Sequence, residues 1–371
     1  MSVVLLAVLI VAAASSWLLT AAVRRYALAR AMLDVPSHRS AHRVPTPRGG
    51  GLAIAIVVLG GIVAGAVMGV VARSTAVAFV GGGIVVAAVG WVDDARARGL
   101  SAGARAAAHT LAALWALYWL GGLPTVVVAG ATLHVGALGT VLAAVGIVWC
   151  VNLYNFMDGI DGLAGGEAVA VSIAGAALLL ARGATGLALV ALLIGGASIG
   201  FLALNWAPAK LFMGDVGSGL LGYLFAVLAL ASERAHAVPL VLWVVLLGVF
   251  VFDATVTLLR RMAAGQRWLD AHAEHAYQRA VRTGRSHARV VGAVLALNAL
   301  LALAATAALL RPALTPIAVL GAAAVLTAAY RRVGRELPMF GGVAPSSGPA
   351  TGCGRPARSS ERPSPRQPGP S

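Results

Sequence analysis

Long apolar runs, separated by short polar segments, recur from one end of the chain to the other. Eleven of them approach the length of about 17–25 residues that crosses a bilayer as a helix. They lie near residues 3–23, 50–71, 75–92, 104–121, 136–153, 165–181, 184–204, 217–232, 238–259, 290–309 and 313–331. The sixth and seventh are separated only by Arg182 and Gly183. The pattern predicts an all-α polytopic membrane protein of about eleven transmembrane helices. One stretch breaks it. Thr125 to Val135 holds two short β-branched runs around Ala129-Gly130, which predicts a small external β-hairpin. The first run has no basic segment before it, and Arg24 and Arg25 follow it. It therefore reads as a retained span rather than a cleaved signal peptide.

Composition strengthens the membrane reading. Sixty per cent of the 371 residues are hydrophobic and 11% are charged, against roughly a quarter charged in soluble domains. The net charge of +15 does not indicate nucleic acid, because the Arg residues sit at span ends and in the tail. With eleven spans, one face receives 24 of the 28 Lys and Arg residues, and the other holds Arg73, Arg182, Arg234 and Arg311. The positive-inside rule makes the Arg-rich face cytoplasmic, with the N-terminus outside and the C-terminus inside. Beyond Leu337 the chain turns to Gly, Pro, Ser and Arg. Residues 1–335 are thus expected to form the membrane domain and 336–371 a disordered cytoplasmic tail. Cys150 and Cys353 have no metal or disulfide spacing.

The acids are distributed unevenly. Of thirteen Asp and Glu residues, only Glu233 falls on the outer face. Glu167 and Asp253 lie within spans, toward their inner ends, and a carboxylate in hydrocarbon costs a few kcal/mol. Adjacent carboxylates repel unless a cation joins them or one is protonated. That makes Asp93-Asp94 and Asp158-x-x-Asp161 candidates for more than pairing with Arg. Mg²⁺ is commonly held by one or two carboxylates plus substrate phosphates, which suits Asp93-Asp94 at the inner end of span three. In Asn152-x-x-Asn155-x-x-Asp158-Gly-x-Asp161-Gly, polar residues recur every third position at a span's inner end. Helix capping explains some of them, but four exceed what a cap needs.

Three further segments share that face. Lys210-Leu-Phe-Met-Gly214-Asp215-Val-Gly217-Ser218-Gly219 places an Asp in a Gly-rich turn before a span, suited to a metal bridging phosphate oxygens. Lys210, the only lysine, suits phosphate or an interfacial anchor equally. His272-Ala-Glu-His275-Ala-Tyr277-Gln278-Arg279 sets two His on one helical face, beside an Arg that can grip pyrophosphate. Asp34 to Gly51 carries His38, Arg39, His42, Arg43 and Arg48 among three prolines and three glycines, an ordered loop whose charges suit an anionic substrate.

Taken in order, these segments resemble the polyprenyl-phosphate N-acetylhexosamine-1-phosphate transferases (glycosyltransferase family 4). The matching pieces are Asp34-x-Pro with Pro45-Thr-Pro-Arg-Gly-Gly-Gly51, Asp93-Asp94, Asn152-x-x-Asn155-x-x-Asp158-Gly-x-Asp161-Gly-Leu163, Gly214-Asp215-x-Gly217-Ser218 and His272-x-x-His275-x-Tyr-Gln-Arg279. The His-x-x-His-x-Tyr-Gln-Arg form looks like the O-antigen-initiating branch, not the peptidoglycan translocase with its clustered histidines. The resemblance implies transfer of an N-acetylhexosamine-1-phosphate from a UDP-sugar to undecaprenyl phosphate, with Mg²⁺ (or Mn²⁺) and release of UMP. The implied setting is the bacterial inner membrane among its lipids, at the start of envelope polysaccharide synthesis, lipopolysaccharide O-antigen included. UDP-N-acetylglucosamine, UDP-N-acetylfucosamine and UDP-N-acetylquinovosamine are all admissible donors.

On that reading Asp215 ligates Mg²⁺ together with Asp94, and Asp93 deprotonates or orients the lipid phosphate. Asn155, Asp158 and Asp161, with Asn152 before them, position the nucleotide sugar or metal. Lys210 serves phosphate, and His272, His275 and Arg279 hold pyrophosphate. Two rivals remain. A transporter of a nucleotide sugar or other anion would place its polar site near the bilayer midplane in interrupted helices. A CDP-alcohol phosphotransferase would compress its acids into one stretch.

Overall fold

A computed structural model describes residues 2–30, 32–34, 44–96, 99–267 and 272–340. His38, Arg39, His42, Arg43, Asp270 and the tail from 341 onward lie outside the described residues. Every expected span is helical. The long helices are α1 (Ser2–Ala29), α2 (Gly51–Val67), α3 (Arg73–Ala95), α4 (Ala102–Leu120), α5 (Gly136–Phe156), α6 (Leu163–Ala181), α7 (Thr185–Asn205), α8 (Asp215–Arg234), α12 (His287–Leu310) and α13 (Thr315–Glu336). Between α8 and α12 lie α9 (Leu240–Leu246), α10 (Gly248–Ala263) and the short α11 (Ala276–Arg282).

Eight of these helices are long and apolar enough to cross a membrane: α1, α3, α5, α6, α7, α8, α12 and α13. The chain is a multi-pass helical membrane protein. The expected span 238–259 is not one straight helix. It breaks at Leu247 into α9 and α10, bent by 81°. Gly248 follows the break, and a Cβ there would meet Leu301 and Leu326, so close packing and weak helix propensity coincide. α10 then carries Asp253, Thr257 and Arg261 on a buried face at i, i+4 and i+8, with Leu259 and Met262 exposed.

Local signals place the ends. Gly183, with φ +74°, turns the chain between α6 and α7, and Ser101 and Ser286 cap α4 and α12 through their hydroxyls. The hairpin forms as expected, from β3 (Thr125–Val128) and β4 (Ala131–His134), antiparallel, with Thr125 opposite His134. Ala129 and Gly130 both take positive φ, as a two-residue primed turn requires.

α8 is the axis of the bundle. Nearly its whole length is buried, and it packs against α3 and α5. Small residues permit the close approach. A Cβ on Gly222 would strike the main chain at Cys150 and Val151, and one on Gly82 would strike the Tyr223 ring. The Tyr223 hydroxyl donates to Ala78 O at 2.7 Å. α8 also joins two chemistries: Asp215 begins it and Glu233 stands one residue before its end.

Candidate active site

The site forms where the ends of α3, α5 and α8 meet two loops. Leu33–Asp34 (β1) pairs antiparallel with Thr46–Pro47 (β2). The chain from Pro47 then docks on the approach to α8. Phe212 N–H donates to Pro47 O (2.8 Å), Gly50 N–H to Phe212 O (2.9 Å) and Gly51 N–H to Met213 O (2.9 Å). Glycine is needed because these backbones nearly touch. A Cβ on Gly51 would overlap Gly217, and one on Gly90 would lie 2.6 Å from the Asp215 carbonyl carbon. The Gly-rich segments thus bring three helix ends together before they meet any phosphate.

Asp94 closes the start of α8. Its Oδ2 accepts the Asp215 N–H at 3.0 Å. Gly214, at φ +75°, leaves room that a Cβ would fill 2.5 Å from that oxygen. Arg48 donates to the Asp94 carbonyl, and its Nη1 stands 4.0 Å from Asp94 Oδ1. Asn155 donates to Asp215 Oδ1 (2.8 Å) and to Ser218 Oγ (3.0 Å), and so fixes the Asp215 carboxylate.

Asp94, Asp158, Asp161 and Asp215 share a cavity of about 320 Å³, which Asp34, Arg48, Asn155, Asn205, Gln278 and His287 also line. Burial pushes the Asp158 carboxyl well above the ordinary carboxylate range, and the negative charges of Asp215, Asp94 and Asp161 push it further. Asp161 accepts the Ala209 N–H (3.1 Å) and pairs with His287 (3.2 Å). Asn205 ties the two loops together, accepting from Gly162 N–H and donating to Leu211 O, both at 3.0 Å.

Other expected site residues are elsewhere. Asp93 does not line the cavity. Its carboxylate accepts the Leu100 N–H, lies 3.5 Å from Arg105 and reaches Asp215. Asn152 donates back to Val148 O within its own helix. Lys210 is exposed and joins its neighbours through main-chain bonds. His275 is buried, with Nδ1 3.6 Å from Asp253, whose carboxylate also accepts the Ala276 and Tyr277 N–H groups. The His272 ring lies tilted against His275, with centroids 4.9 Å apart, and its pKa is pushed down to about 4 by burial and by the His275 and Arg261 charges. It is therefore neutral at pH 7. Arg279 is 0% exposed. It donates to Glu274 O and Leu337 O, both at 3.0 Å, under the Tyr330 ring. Within the His-x-x-His-x-Tyr-Gln-Arg segment, His275, Tyr277 and Arg279 are thus turned into the protein, His272 is half-buried, and Gln278 lines the cavity.

Arg48, Asn205, Gln278 and His287 are the cavity residues that sequence reasoning did not single out as site residues. Arg48 and Gln278 carried a local signal, through their places in Pro-Thr-Pro-Arg-Gly-Gly-Gly and His-x-x-His-x-Tyr-Gln-Arg, and Asn205 and His287 carried none.

A model of glycosyl transferase family 4 matches residues 76–233, the stretch from α3 to the end of α8 that supplies Asp94, Asn155, Asp158, Asp161 and Asp215. A decaprenyl-phosphate N-acetylglucosaminephosphotransferase of Mycobacterium tuberculosis is 30% identical over 316 residues, 76% of each chain. The chain belongs to glycosyl transferase family 4. The family-model match takes in Asp93-Asp94, Asn152 to Leu163 and Gly214 to Ser218, while the segments Asp34 to Gly51 and His272 to Arg279 lie outside it. A further member, a probable undecaprenyl-phosphate N-acetylglucosaminyl 1-phosphate transferase of Bacillus subtilis, is 29% identical over 73% of this chain and 75% of its own. A phospho-N-acetylmuramoyl-pentapeptide-transferase of Moorella thermoacetica is 34% identical over 47% of this chain and 57% of its own.

Among the described residues of this family member, no three His, Cys, Asp or Glu side chains are grouped to hold a metal by themselves. Mg²⁺ does not require that. It keeps waters and takes one or two carboxylates plus substrate phosphates. Asp94 and Asp215 supply hard oxygen donors on one cavity wall, and the crowding that raises Asp158 is relieved by a cation. The residues fit Mg²⁺.

Proposed function

We propose that the chain transfers an N-acetylhexosamine-1-phosphate from a UDP-sugar to a polyprenyl phosphate such as undecaprenyl phosphate, at the cytoplasmic membrane face. A lipid-phosphate oxygen bonds to the sugar-bearing phosphorus, and the bond from that phosphorus to UMP breaks. The observation that carries the reading is the convergence of Asp94, Asp158 and Asp215 with Arg48 on one cavity at the ends of membrane helices. A water-soluble diphosphate and a lipid-borne phosphate meet at such a place and nowhere deeper.

Phosphoryl transfer needs positioning and charge neutralisation more than covalent assistance. Asp94 and Asp215 would hold Mg²⁺, which when bound neutralises phosphate charge. Asn155 keeps Asp215 aimed, and Arg48 fixes the turn that carries Asp94. Asp93, tied to Arg105 and Leu100, steadies Asp215 from behind. UDP-N-acetylglucosamine is the favoured donor. The relatives covering about three quarters of the chain are named for N-acetylglucosamine, while the muramoyl-pentapeptide relative covers less than half. The product would enter envelope polysaccharide synthesis in the bacterial plasma membrane.

The test is UMP release by purified protein with undecaprenyl phosphate, Mg²⁺ and a panel of UDP-sugars. UMP should appear with UDP-N-acetylglucosamine and vanish on chelation. Asp94→Asn and Asp215→Asn should each lower kcat by about 100-fold or more in folded protein. Uptake of an intact nucleotide sugar into vesicles, with no UMP formed, would establish the transporter instead.

A further inference from the structure

Two cavity-lining side chains, Gln278 and His287, lie outside the family-model match and are oriented by specific contacts. Gln278 belongs to a capping box at the start of α11. Its Oε1 accepts the His275 N–H at 3.3 Å, which commits the carbonyl end and leaves the NH2 end for the cavity. His287 opens α12. Its Nδ1 is flanked by Asp161 Oδ2 at 3.2 Å and the Asp161 main-chain N at 3.3 Å. Either contact consumes Nδ1, so Nε2 is the ring atom left to meet a ligand. If Nδ1 accepts the amide proton, Nε2 already carries one. If Nδ1 instead donates to Asp161 Oδ2, Nε2 donates only in the doubly protonated ring.

The side chains expected to hold pyrophosphate are committed differently. Arg279 is fully buried and donates from Nε and Nη1 to main-chain carbonyls, His275 is buried beside Asp253, and His272 is uncharged at neutral pH. We infer that Gln278 and His287 bind the phosphoryl oxygens of the nucleotide-sugar donor, and that the histidine segment around them is a scaffold which sets Gln278. This rests on the function proposed above. The donor is favoured over the lipid phosphate because α11 and the first residue of α12 lie in the connection between membrane helices, where a water-soluble diphosphate arrives.

Gln278→Glu is the discriminating variant. It keeps the capping acceptor and replaces the NH2 group with an anionic oxygen. His287→Ala removes the imidazole, and His287→Gln returns an N–H donor at similar reach. In full-length protein with Mg²⁺, UMP release is measured with each substrate varied in turn, and UDP-N-acetylglucosamine binding by calorimetry. Gln278→Glu and His287→Ala should raise the donor KM and weaken donor binding by about tenfold or more. The acceptor KM should stay within about twofold, and His287→Gln should recover part of the loss. Unchanged donor KM and binding in folded variants, or a shift confined to the acceptor KM, would overturn the inference while the transferase reading stands. A wild-type protein that neither binds the UDP-sugar nor releases UMP would remove both.

Discussion

Asp158 shows what the cavity asks of single residues. Its carboxyl is forced above the normal range, first by burial and then by Asp215, Asp94 and Asp161. A carboxyl whose folded pKa is raised contributes its full stability only below the unfolded value near 4, and loses it as pH rises through the folded pKa. Asp158→Asn should therefore stabilise the protein while impairing turnover, a trade common at strained sites. The gain should be about 1 kcal/mol, or a few degrees in apparent Tm, at pH 8. It should shrink toward pH 5, and also on adding Mg²⁺, which relieves the same repulsion. A melting series over pH with and without Mg²⁺ checks this, and a variant less stable than wild type at every pH would refute it. The grouping of Asp158 with Asn155 and Asp161 in one cavity was legible from their spacing. The placement of Arg279 was not. An Arg after His-x-x-His reads as a ligand for phosphate, and only the folded chain shows its guanidinium fully buried, with Nε and Nη1 on the Glu274 and Leu337 carbonyls.

Among the elements, α8 connects the site to the far end of the bundle. Its first residue is Asp215, and Glu233 lies about 27 Å along the axis at 1.5 Å per residue. Glu233 was the one acid expected on the outer face, and its contacts give it a structural role at its end of the bundle. Its carboxylate accepts the Val127 N–H of β3 (2.6 Å) and the Leu240 N–H of α9. It therefore ties the hairpin to the start of the bent pair. Glu233→Ala leaves both N–H groups without that partner, at a cost of about 1–3 kcal/mol. Hydrogen exchange should quicken at residues 125–134, while kcat/KM for UMP release stays within about twofold. A large kinetic loss would show that the far end governs the site. The elements were largely readable because apolar length alone marks a membrane helix. The break at Leu247 was less so, since 238–259 is continuously apolar through Phe252 and its cause is packing of Gly248 against Leu301 and Leu326.

At the scale of the molecule, the two ends differ in kind. Asp34, Asp94, Asp158, Asp161 and Asp215 gather at one end. The other holds the hairpin, Arg182 and Glu233 around a second cavity of about 280 Å³. The Arg distribution is the ground for proposing that the first end faces the cytoplasm. The proposed chemistry requires the same assignment, because UDP-sugars are made there. Charge counting and site placement are independent arguments, and a labelling experiment tests both together. In intact cells expressing a protein with Cys150 and Cys353 replaced, a cysteine at Ala129, in the hairpin turn, should react with a membrane-impermeant maleimide. A cysteine at Arg285, in the turn between α11 and α12, should react only after the membrane is permeabilised. Arg285 is a suitable probe because it pairs with Glu336 at the surface and not with the cavity. The reverse pattern would put the carboxylate cavity outside, away from any nucleotide sugar, and the transferase reading would fall with the orientation.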